Sequence, residues 1–436
     1  MSSKQHEPRA RGAIESLRFL TPEKVRSIAS KFGTPVYVYD ERSLQRQAEK
    51  MLAFPNAFGL TVRYSLKAGA GGAIIKIFDR MGLHFDASSM WEAMRAMAVG
   101  VEPSKISLTV QEVPTNLDEL ISRGVQFTAC SLLQLAQYGE RFPGADVGIR
   151  LNPGEGTGFI NRLTSGGPRS NFGIWFEFID EALRLIDKYK LRVNRIHQHI
   201  GSGHDPYEWV RISIRTLDLS KAFGPVPIVN LGGGYRVKAL ISETEVPYND
   251  IGEQLRLAFL QFGKQTGGTP HLEVEPGTFL TANCGSLITT VVDTISTGKN
   301  GYDFIKIDSG LTEVIRPGFY GSPHPLVSIP AQGALRSETK PYLVAGHCCI
   351  AGDLLTVELR NPEQVLPQEL AVVKPGDFLV VERAGGYCSS MNMKNFNSFP
   401  EAPEVLHRAD GSLALIRKRQ TLEQLTQNEI IPRDLT

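Results

Sequence analysis

The feature that most constrains the fold is a regular alternation of short β-branched runs with segments of helical periodicity. Eight runs have the length and composition of strands, and a helical pattern separates each from the next. In chain order they are VRYSLKA, LHFDAS, ISLTV, FTACS, VGIRLNP, RIHQHIG, PIVNLGGG and HLEVEPG. Eight such units are typical of an α/β fold whose strands close into a parallel (β/α)8 TIM barrel. An open, doubly wound sheet is the alternative.

The pattern changes after about residue 284, where runs such as SLITTVVDTIS and DFLVVERAG follow one another without long helical segments. A chain of 436 residues is long enough for two domains. We therefore predict the barrel at 44–283 and a C-terminal all-β, β-sandwich-like domain at 284–420. The early run PVYVYD precedes the first helical segment of the barrel, so residues 21–43 are assigned to the β domain. A polar tail, 421–436, completes the chain.

Composition excludes several classes of partner. The chain carries 47 basic and 46 acidic residues, so it has no net field that would attract nucleic acid or a membrane surface. No run approaches 18 apolar residues and no signal-peptide core is present, which predicts a cytoplasmic protein. The odd number of cysteines without a CxxC spacing predicts reduced thiols. These cysteines are Cys130, Cys284, Cys348, Cys349 and Cys388.

Unusual side chains fall where predicted strands end, which is where reactive groups collect in a βα barrel. They are Lys67, Asp86, His199, the glycines 232 to 234 and Glu275. An isolated Lys67 could be a surface amine that extends to water. In a desolvated barrel mouth the same amine could have a lowered pKa and form a Schiff base with an aldehyde cofactor.

The glycine run and Glu275 each admit two interpretations. NLGGGY could be a tight turn or a phosphate cradle built from backbone amides, to which HIGSGHD would add Ser202 and Gly203. It is not a dinucleotide fingerprint, because Val237 stands where a third glycine belongs. Glu275 lies in an apolar strand end and needs a cationic partner, either a protonated pyridine nitrogen or an arginine of the barrel.

HQHIGSGH also raises the possibility of a metal site formed by His197, His199 and His204. A zinc-dependent barrel hydrolase is therefore an alternative of a different class. Such enzymes usually place the histidine pair on the first strand and the lysine later, which is the reverse of the order here. We therefore predict no metal.

Eight ordered motifs then carry a resemblance over about residues 34 to 408. They are YSLKA, HFDASSMWE, HQHIGSG, NLGGGY, EPGTFL, VIRPGFY, GHCCIAGD and AGGYCSSMNMKNFNS. The set resembles the pyridoxal-phosphate-dependent decarboxylases of the alanine-racemase-like fold (fold type III), and within them the diaminopimelate decarboxylases. This resemblance implies a pyridoxal 5'-phosphate-binding barrel, a carboxy-lyase activity on an amino acid, and a homodimer with shared active sites.

The resemblance also implies roles for individual residues in binding the cofactor. Lys67 would bind its aldehyde covalently, His199 would stack on its ring, and Glu275 would keep its ring nitrogen protonated. Asp86 and Glu92 would support the lysine. The phosphate would be held by Ser202, Gly233, Gly234 and Gly277, with Tyr387 close by.

The second domain would contribute substrate contacts. Arg316 and Tyr320 would bind a substrate carboxylate, with Tyr387 nearby. Cys349 and Asp353 would enter the site from the partner subunit, and Cys349 would protonate the substrate carbon. Lys67, His199 and Cys349 are thus the predicted catalytic residues.

Three positions depart from the pattern of these decarboxylases, and two of them concern the substrate. Gly69 replaces an asparagine, Thr278 replaces an arginine of the EPGR motif, and Ile350 replaces a glutamate of the CESGD motif. The resemblance implies meso-diaminopimelate as the leading substrate. Another basic, D- or modified diamino acid is the alternative.

Overall fold

The computed structural model describes residues 14–202 and 205–435. They form two compact units. One comprises Leu44–Lys238 and Thr244–Thr281, and the other comprises the described residues up to Ser43, the segment Ala239–Glu243 and the chain from Ala282 onward. The domain boundaries inferred from the sequence stay a prediction.

The first unit is built on eight parallel strands, β1 to β8. They are Leu60–Ser65, His84–Ala87, Ile106–Thr109, Gln126–Ala129, Asp146–Asn152, Arg192–His197, Ile228–Asn230 and His271–Val274. Each strand pairs with the next, and β8 pairs with β1 through Leu272 and Leu60, so the sheet closes on itself. A short strand, Ile174–Trp175, pairs with the end of β5. The predicted (β/α)8 barrel is therefore confirmed.

Helices connect these strands, and each buries one apolar stripe. The helix after β1 runs from Gly72 to Arg80 and buries Ile74, Ile75, Ile77 and Phe78. Glu41–Leu52 precedes β1. The helices that follow β2 to β7 are, in order, Met90–Ala98, Leu117–Ser122, Leu132–Arg141, Ile179–Tyr189, Pro206–Ser220 and Tyr248–Thr266. Ser89, Ser131 and Asp205 cap three of them by accepting a backbone N–H.

The second unit contains a nine-stranded mixed sheet and a two-stranded ribbon. Its strands are Val36–Asp40, Gly285–Ser296, Asp303–Ile307, Leu326–Ile329, Thr339–Ala345, Gln368–Ala371, Phe378–Val381, Glu404–His407 and Leu413–Arg417, and the ribbon is Val357–Glu358 with Asn361–Val365. Val36–Asp40 pairs with Gly285–Ser296 and Glu404–His407, so the early run does join this sheet. The predicted second, sheet-based domain is confirmed.

The core of the second unit lies between this sheet and a helix, Pro22–Phe32, that the sequence patterns did not reveal. Val25 and Ile28 of that helix are fully buried with Val38, Ile288 and Val380. Short helices follow at Arg316–Tyr320 and, in the tail, at Leu422–Thr426. Within the described ranges, no helix combines the length and the apolar character needed to cross a bilayer.

Candidate active site

Lys67 follows β1 directly, in a single turn of 3-10 helix, Leu66–Ala68, and its side chain is exposed. Ser65, the residue before this turn, fixes it to the end of β8. The Ser65 hydroxyl donates to the carbonyl of Glu275 at 2.9 Å, and its amide donates to the carbonyl of Pro276 at 3.4 Å. The two strand ends that carry Lys67 and Glu275 are therefore joined by direct hydrogen bonds.

Glu275 is buried, and both of its carboxylate oxygens have protein partners. Oε1 accepts from Nδ2 of Asn230 at 2.7 Å, and Oε2 contacts Nε2 of His197 at 3.2 Å. Burial opposes the charge on Glu275, but the charge and hydrogen bond of His197, and then the positive charge of Lys67, outweigh it and lower its pKa to about 2. Burial also lowers the pKa of His197, while the charge of Glu275 opposes this shift. Glu275 is thus an anion ready to pair with a cationic ligand group.

His199 is held as a neutral ring by the glycine run. The amide of Gly233 donates to its Nδ1 at 3.0 Å, so that nitrogen carries no proton. Burial, followed by the positive charges of Lys67 and Arg150, lowers the pKa of His199 well below its usual value. A neutral imidazole can lie against an aromatic ring without placing a charge on it.

The glycine run makes a close approach that side chains would block. A Cβ at Gly233 would lie 2.6 Å from the carbonyl of Glu275, and one at Gly234 would lie 2.7 Å from that of Gly201. Gly234 also has a positive φ of 109°. The backbone therefore carries no side chain at the position predicted for a phosphate, although the amides of Gly232 and Gly233 already donate to Asn230 and His199.

Asp86 and Glu92 differ in their surroundings. Burial, and then the negative charge of Glu275, raises the pKa of Asp86 to about 8 despite the opposing charge of Lys67. Asp86 therefore holds a proton near neutral pH. Glu92 accepts the amide of Ser88 at 2.7 Å, just before the helix that Ser89 caps.

Ser202 and Gly277 lie at the ends of β6 and β8. The amide of Ser202 donates to the carbonyl of Leu163 at 3.2 Å, so its contact with a phosphate would come from the hydroxyl. The carbonyl of Gly277 accepts from the amides of Leu280 and Thr281. Gly203 and His204, which the sequence also indicated, lie outside the described residues.

Arg150 was not recognised from the sequence. It is buried in β5, donates to the carbonyl of His199 at 3.3 Å, and lies 4.8 Å from the ring of Phe172. The detectable signal was a charged residue inside the apolar run VGIRLNP, which is costly without a partner. Asn230 carries no such signal, and the sequence indicates His197 only as a metal ligand.

The second unit places its predicted residues in two groups. Arg316 lies 5.7 Å from the ring of Tyr387 and donates to the hydroxyl of Ser322 at 3.2 Å. Tyr387 has a positive φ of 56°, a conformation that non-glycine residues adopt only when their surroundings hold them. Tyr320 ends the same short helix that Arg316 begins.

Cys349 and Asp353 share one loop but differ in exposure. Cys349 is exposed, and its amide donates to Oδ1 of Asn397 at 2.8 Å. Asp353 is buried and accepts the amides of Leu311 at 3.0 Å and Cys348 at 2.8 Å. The Asp353 carboxylate therefore shapes the loop that presents Cys349, and its contact with substrate stays a prediction.

The barrel residues fit pyridoxal 5'-phosphate. Among the described residues, Oδ1 of Asp86 and Nε of Arg150 are buried without a hydrogen-bond partner, an arrangement that a polar ligand would complete. The lysine, the bare glycine run and the buried anionic Glu275 match the aldehyde, phosphate and ring nitrogen of this cofactor. No cluster of three metal-ligating side chains was found within residues 14–202 and 205–435.

Comparisons with known proteins agree with this chemistry. The family model described as pyridoxal-dependent decarboxylase, pyridoxal binding domain, matches residues 42–282. The chain is 32% identical to the diaminopimelate decarboxylase of Escherichia coli (strain K12), covering 94% of this chain and 97% of that protein. It is also 32% identical to the diaminopimelate decarboxylase of Streptomyces coelicolor, covering 99% and 96%.

A solved structure extends this likeness to the fold. A crystal structure of diaminopimelate decarboxylase superposes with a TM-score of 0.87 at 32% identity, covering 96% of this chain and 99% of that one. Both the family model and the full-length relatives thus point to the same group of enzymes, and the chain belongs to the pyridoxal-dependent decarboxylases.

Proposed function

We propose that this enzyme decarboxylates meso-diaminopimelate to L-lysine, which would place it in lysine biosynthesis. The observation that carries the proposal is the extent of the similarity: two curated diaminopimelate decarboxylases match at 32% identity over 94% and 99% of the chain. The match therefore includes the sheet unit, which holds the predicted substrate residues, as well as the barrel.

The chemistry requires a group that stabilises negative charge on the substrate carbon. When bound, pyridoxal phosphate accepts the electron pair that remains after carbon dioxide leaves. Lys67 would hold the cofactor aldehyde, and Ser202 with the glycine backbone at Gly234 would bind its phosphate, because the amides of Gly232 and Gly233 already donate to Asn230 and His199. Glu275, anionic and fixed by two hydrogen bonds, would keep a proton on the ring nitrogen. Neutral His199 would lie against the ring.

The remaining roles belong to the sheet unit. Arg316 would pair with a substrate carboxylate, since a guanidinium group binds carboxylates with two parallel hydrogen bonds. Cys349 would deliver a proton to the substrate carbon. Its side chain is exposed rather than packed in the core of the sheet unit, which supports a role in contact with a substrate. We infer that the enzyme is a homodimer in which Cys349 serves the partner's site. A cytoplasmic location is part of the proposal, because a thiol acid needs a reducing compartment.

The first experiment tests the cofactor link and the reaction together. Protein purified with pyridoxal phosphate should release carbon dioxide from meso-diaminopimelate and form lysine, and borohydride should trap the cofactor on the peptide containing Lys67. Lys67→Ala should abolish both signals. Lys76→Ala is the matched control, because Lys76 lies on the next helix and pairs with Asp79. Trapping on any other lysine would refute the assignment of Lys67.

Mixing two inactive variants tests the shared site. Lys67→Ala and Cys349→Ala subunits, each inactive alone, should regain activity when mixed and allowed to exchange. Random pairing of a two-fold dimer leaves about a quarter of the sites intact. No recovery between subunits that demonstrably exchange would mean that each chain supplies its own cysteine.

A second candidate substrate rests on one observation. Ile350 is 48% exposed beside Cys349, where an apolar side chain cannot bind an amino group. A related basic, D- or modified diamino acid would fit such a site better than a doubly zwitterionic one. Carbon dioxide release should be compared across meso-diaminopimelate, L-lysine, ornithine, arginine and their D-forms. A higher kcat/KM for any other member than for meso-diaminopimelate would replace the leading substrate.

A further inference from the structure

Asn230, at the end of β7, joins three parts of the barrel mouth through one buried side chain. Its Nδ2 donates to Oε1 of Glu275 at 2.7 Å and to Oε2 of Glu273 at 3.1 Å. Its Oδ1 accepts the amide of Gly232 at 2.8 Å. With both N–H groups and the carbonyl engaged, the orientation of the amide is fully determined.

Glu273 is an immobile anchor for this amide. It accepts from Arg63 at 2.6 Å and from Nε of Arg195 at 2.8 Å, and all three side chains are at least 98% buried. Both oxygens of Glu273 are thus held by guanidinium groups. Asn230 transmits this fixed position to Glu275, whose own pairing involves no arginine among the described residues.

We propose that Asn230 is a positioning residue that orients the Glu275 carboxylate toward the ring nitrogen of pyridoxal phosphate. The proposal rests on the role assigned to Glu275 above. Asn230 touches neither the cofactor aldehyde nor its phosphate in this assignment and acts through Glu275. Replacing its N–H donor by a carboxyl oxygen removes the hydrogen bond to Oε1 and adds a like charge, so the carboxylate of Glu275 turns away or takes up a proton.

Binding of two ligands to the apoprotein tests this idea without measuring activity. One ligand is pyridoxal phosphate, and the other is its 1-deaza analogue, in which carbon replaces the ring nitrogen. Asn230→Asp should weaken binding of pyridoxal phosphate by about tenfold to a hundredfold, the usual effect of a lost hydrogen bond to a charged group. Binding of the deaza analogue, which offers Glu275 nothing to pair with, should change much less.

Asn152→Asp is the matched control. Asn152 is also a buried asparagine at a strand end, and it accepts the amides of Gly154 at 3.1 Å and Gly167 at 2.8 Å without contacting Glu275. It should affect the two ligands equally. Asn230→Ser, which removes the donor without adding a carboxyl group, serves if the aspartate variant does not fold.

Glu275→Gln separates failure of this inference from failure of the proposed function. If Glu275→Gln weakens pyridoxal phosphate selectively but neither Asn230 variant does, the positioning role of Asn230 is wrong. If Glu275→Gln affects both ligands equally, the assignment of Glu275 to the ring nitrogen is wrong and the inference falls with it. The absorbance of the bound cofactor as a function of pH should shift in Asn230→Asp and not in Asn152→Asp.

Discussion

Glu273→Gln should destabilise the barrel far more than any exposed ion-pair variant. Glu273 neutralises Arg63 and Arg195, both almost completely buried, through contacts of 2.6 and 2.8 Å. Burial opposes its charge, but the two arginines outweigh burial and hold its pKa well below the usual range. Glutamine keeps the shape and one carbonyl acceptor but leaves two buried guanidinium groups without their counter-charge.

The expected loss is about 3–5 kcal/mol in the free energy of unfolding, the usual cost of removing one partner of a buried ion pair. Glu253→Gln is the control. Glu253 pairs with Arg256 at 2.8 Å on a helix surface, where the side chains are 50% and 35% exposed. An exposed pair of this kind contributes about 0–1 kcal/mol.

Urea unfolding followed by tryptophan fluorescence reads the barrel alone. The three tryptophans, Trp91, Trp175 and Trp209, all lie in the barrel unit. The urea concentration at the midpoint of unfolding should fall strongly in Glu273→Gln and stay near the wild-type value in Glu253→Gln. A loss below about 1 kcal/mol in Glu273→Gln would refute the reasoning, since it would mean that water or another group compensates the arginines.

The pH dependence adds an independent check with a definite sign. A depressed carboxyl pKa contributes stability above the pKa of the unfolded state, about 4.3 for glutamate, and that contribution is lost as the pH falls toward the folded value. The difference in the free energy of unfolding between wild type and Glu273→Gln should therefore be constant from pH 5 to 7 and shrink below pH 4. A difference that grows as the pH falls would contradict the assignment of Glu273 as the charged partner of Arg63 and Arg195.

Three further predictions concern the site itself. The pKa of Asp86 is raised to about 8. The wild-type apoprotein should therefore lose stability as the pH rises from about 4 toward 8, because the carboxyl group of the unfolded chain releases its proton first. Asp86→Asn should remove this loss, which urea midpoints at pH 5 and pH 8 would measure. Gly233→Ala should lose about 1–3 kcal/mol of stability and weaken cofactor binding, because its Cβ would approach the carbonyl of Glu275 to 2.6 Å. Gly268→Ala, where the nearest atom lies at 3.4 Å, should be close to neutral, and calorimetric melting of both variants measures the difference. A thiol reagent should modify one cysteine rapidly, since Cys349 is exposed and the other four are buried; a rapid reaction that persists in Cys349→Ala would show that another thiol is accessible.

Parts of the second unit were not predictable from local pattern. The strand Glu404–His407 and the helix Pro22–Phe32 were missed. Glu404–His407 is a short run with a charged residue at its start, and it becomes a strand because it pairs in parallel with Val36–Asp40, more than 360 residues earlier. Strand propensity depends on such neighbours more than on the segment itself.

The sequence alone determined the barrel and the positions of its reactive side chains, because both follow from local periodicity. A β-branched run predicts a strand, and a helical stripe predicts the helix that connects it to the next strand. The ends of the strands then place Lys67, Asp86, His199 and Glu275 at one end of the barrel. The ordered motifs then indicated the cofactor. None of these inferences requires knowing which residues touch.

Only the tertiary structure decided how the buried charges pair. The sequence left Glu275 with a ring nitrogen or a barrel arginine as its partner, yet the arginines bind Glu273, one strand period earlier, and Glu275 contacts Asn230 and His197. The register of three adjacent strands sets this choice: His197 lies opposite Asn230, and Asn230 lies opposite Glu273. A shift of one residue in that register would turn each side chain to the other face of the sheet. Pairings between residues 33 to 78 positions apart depend on that alignment, and no local pattern encodes it.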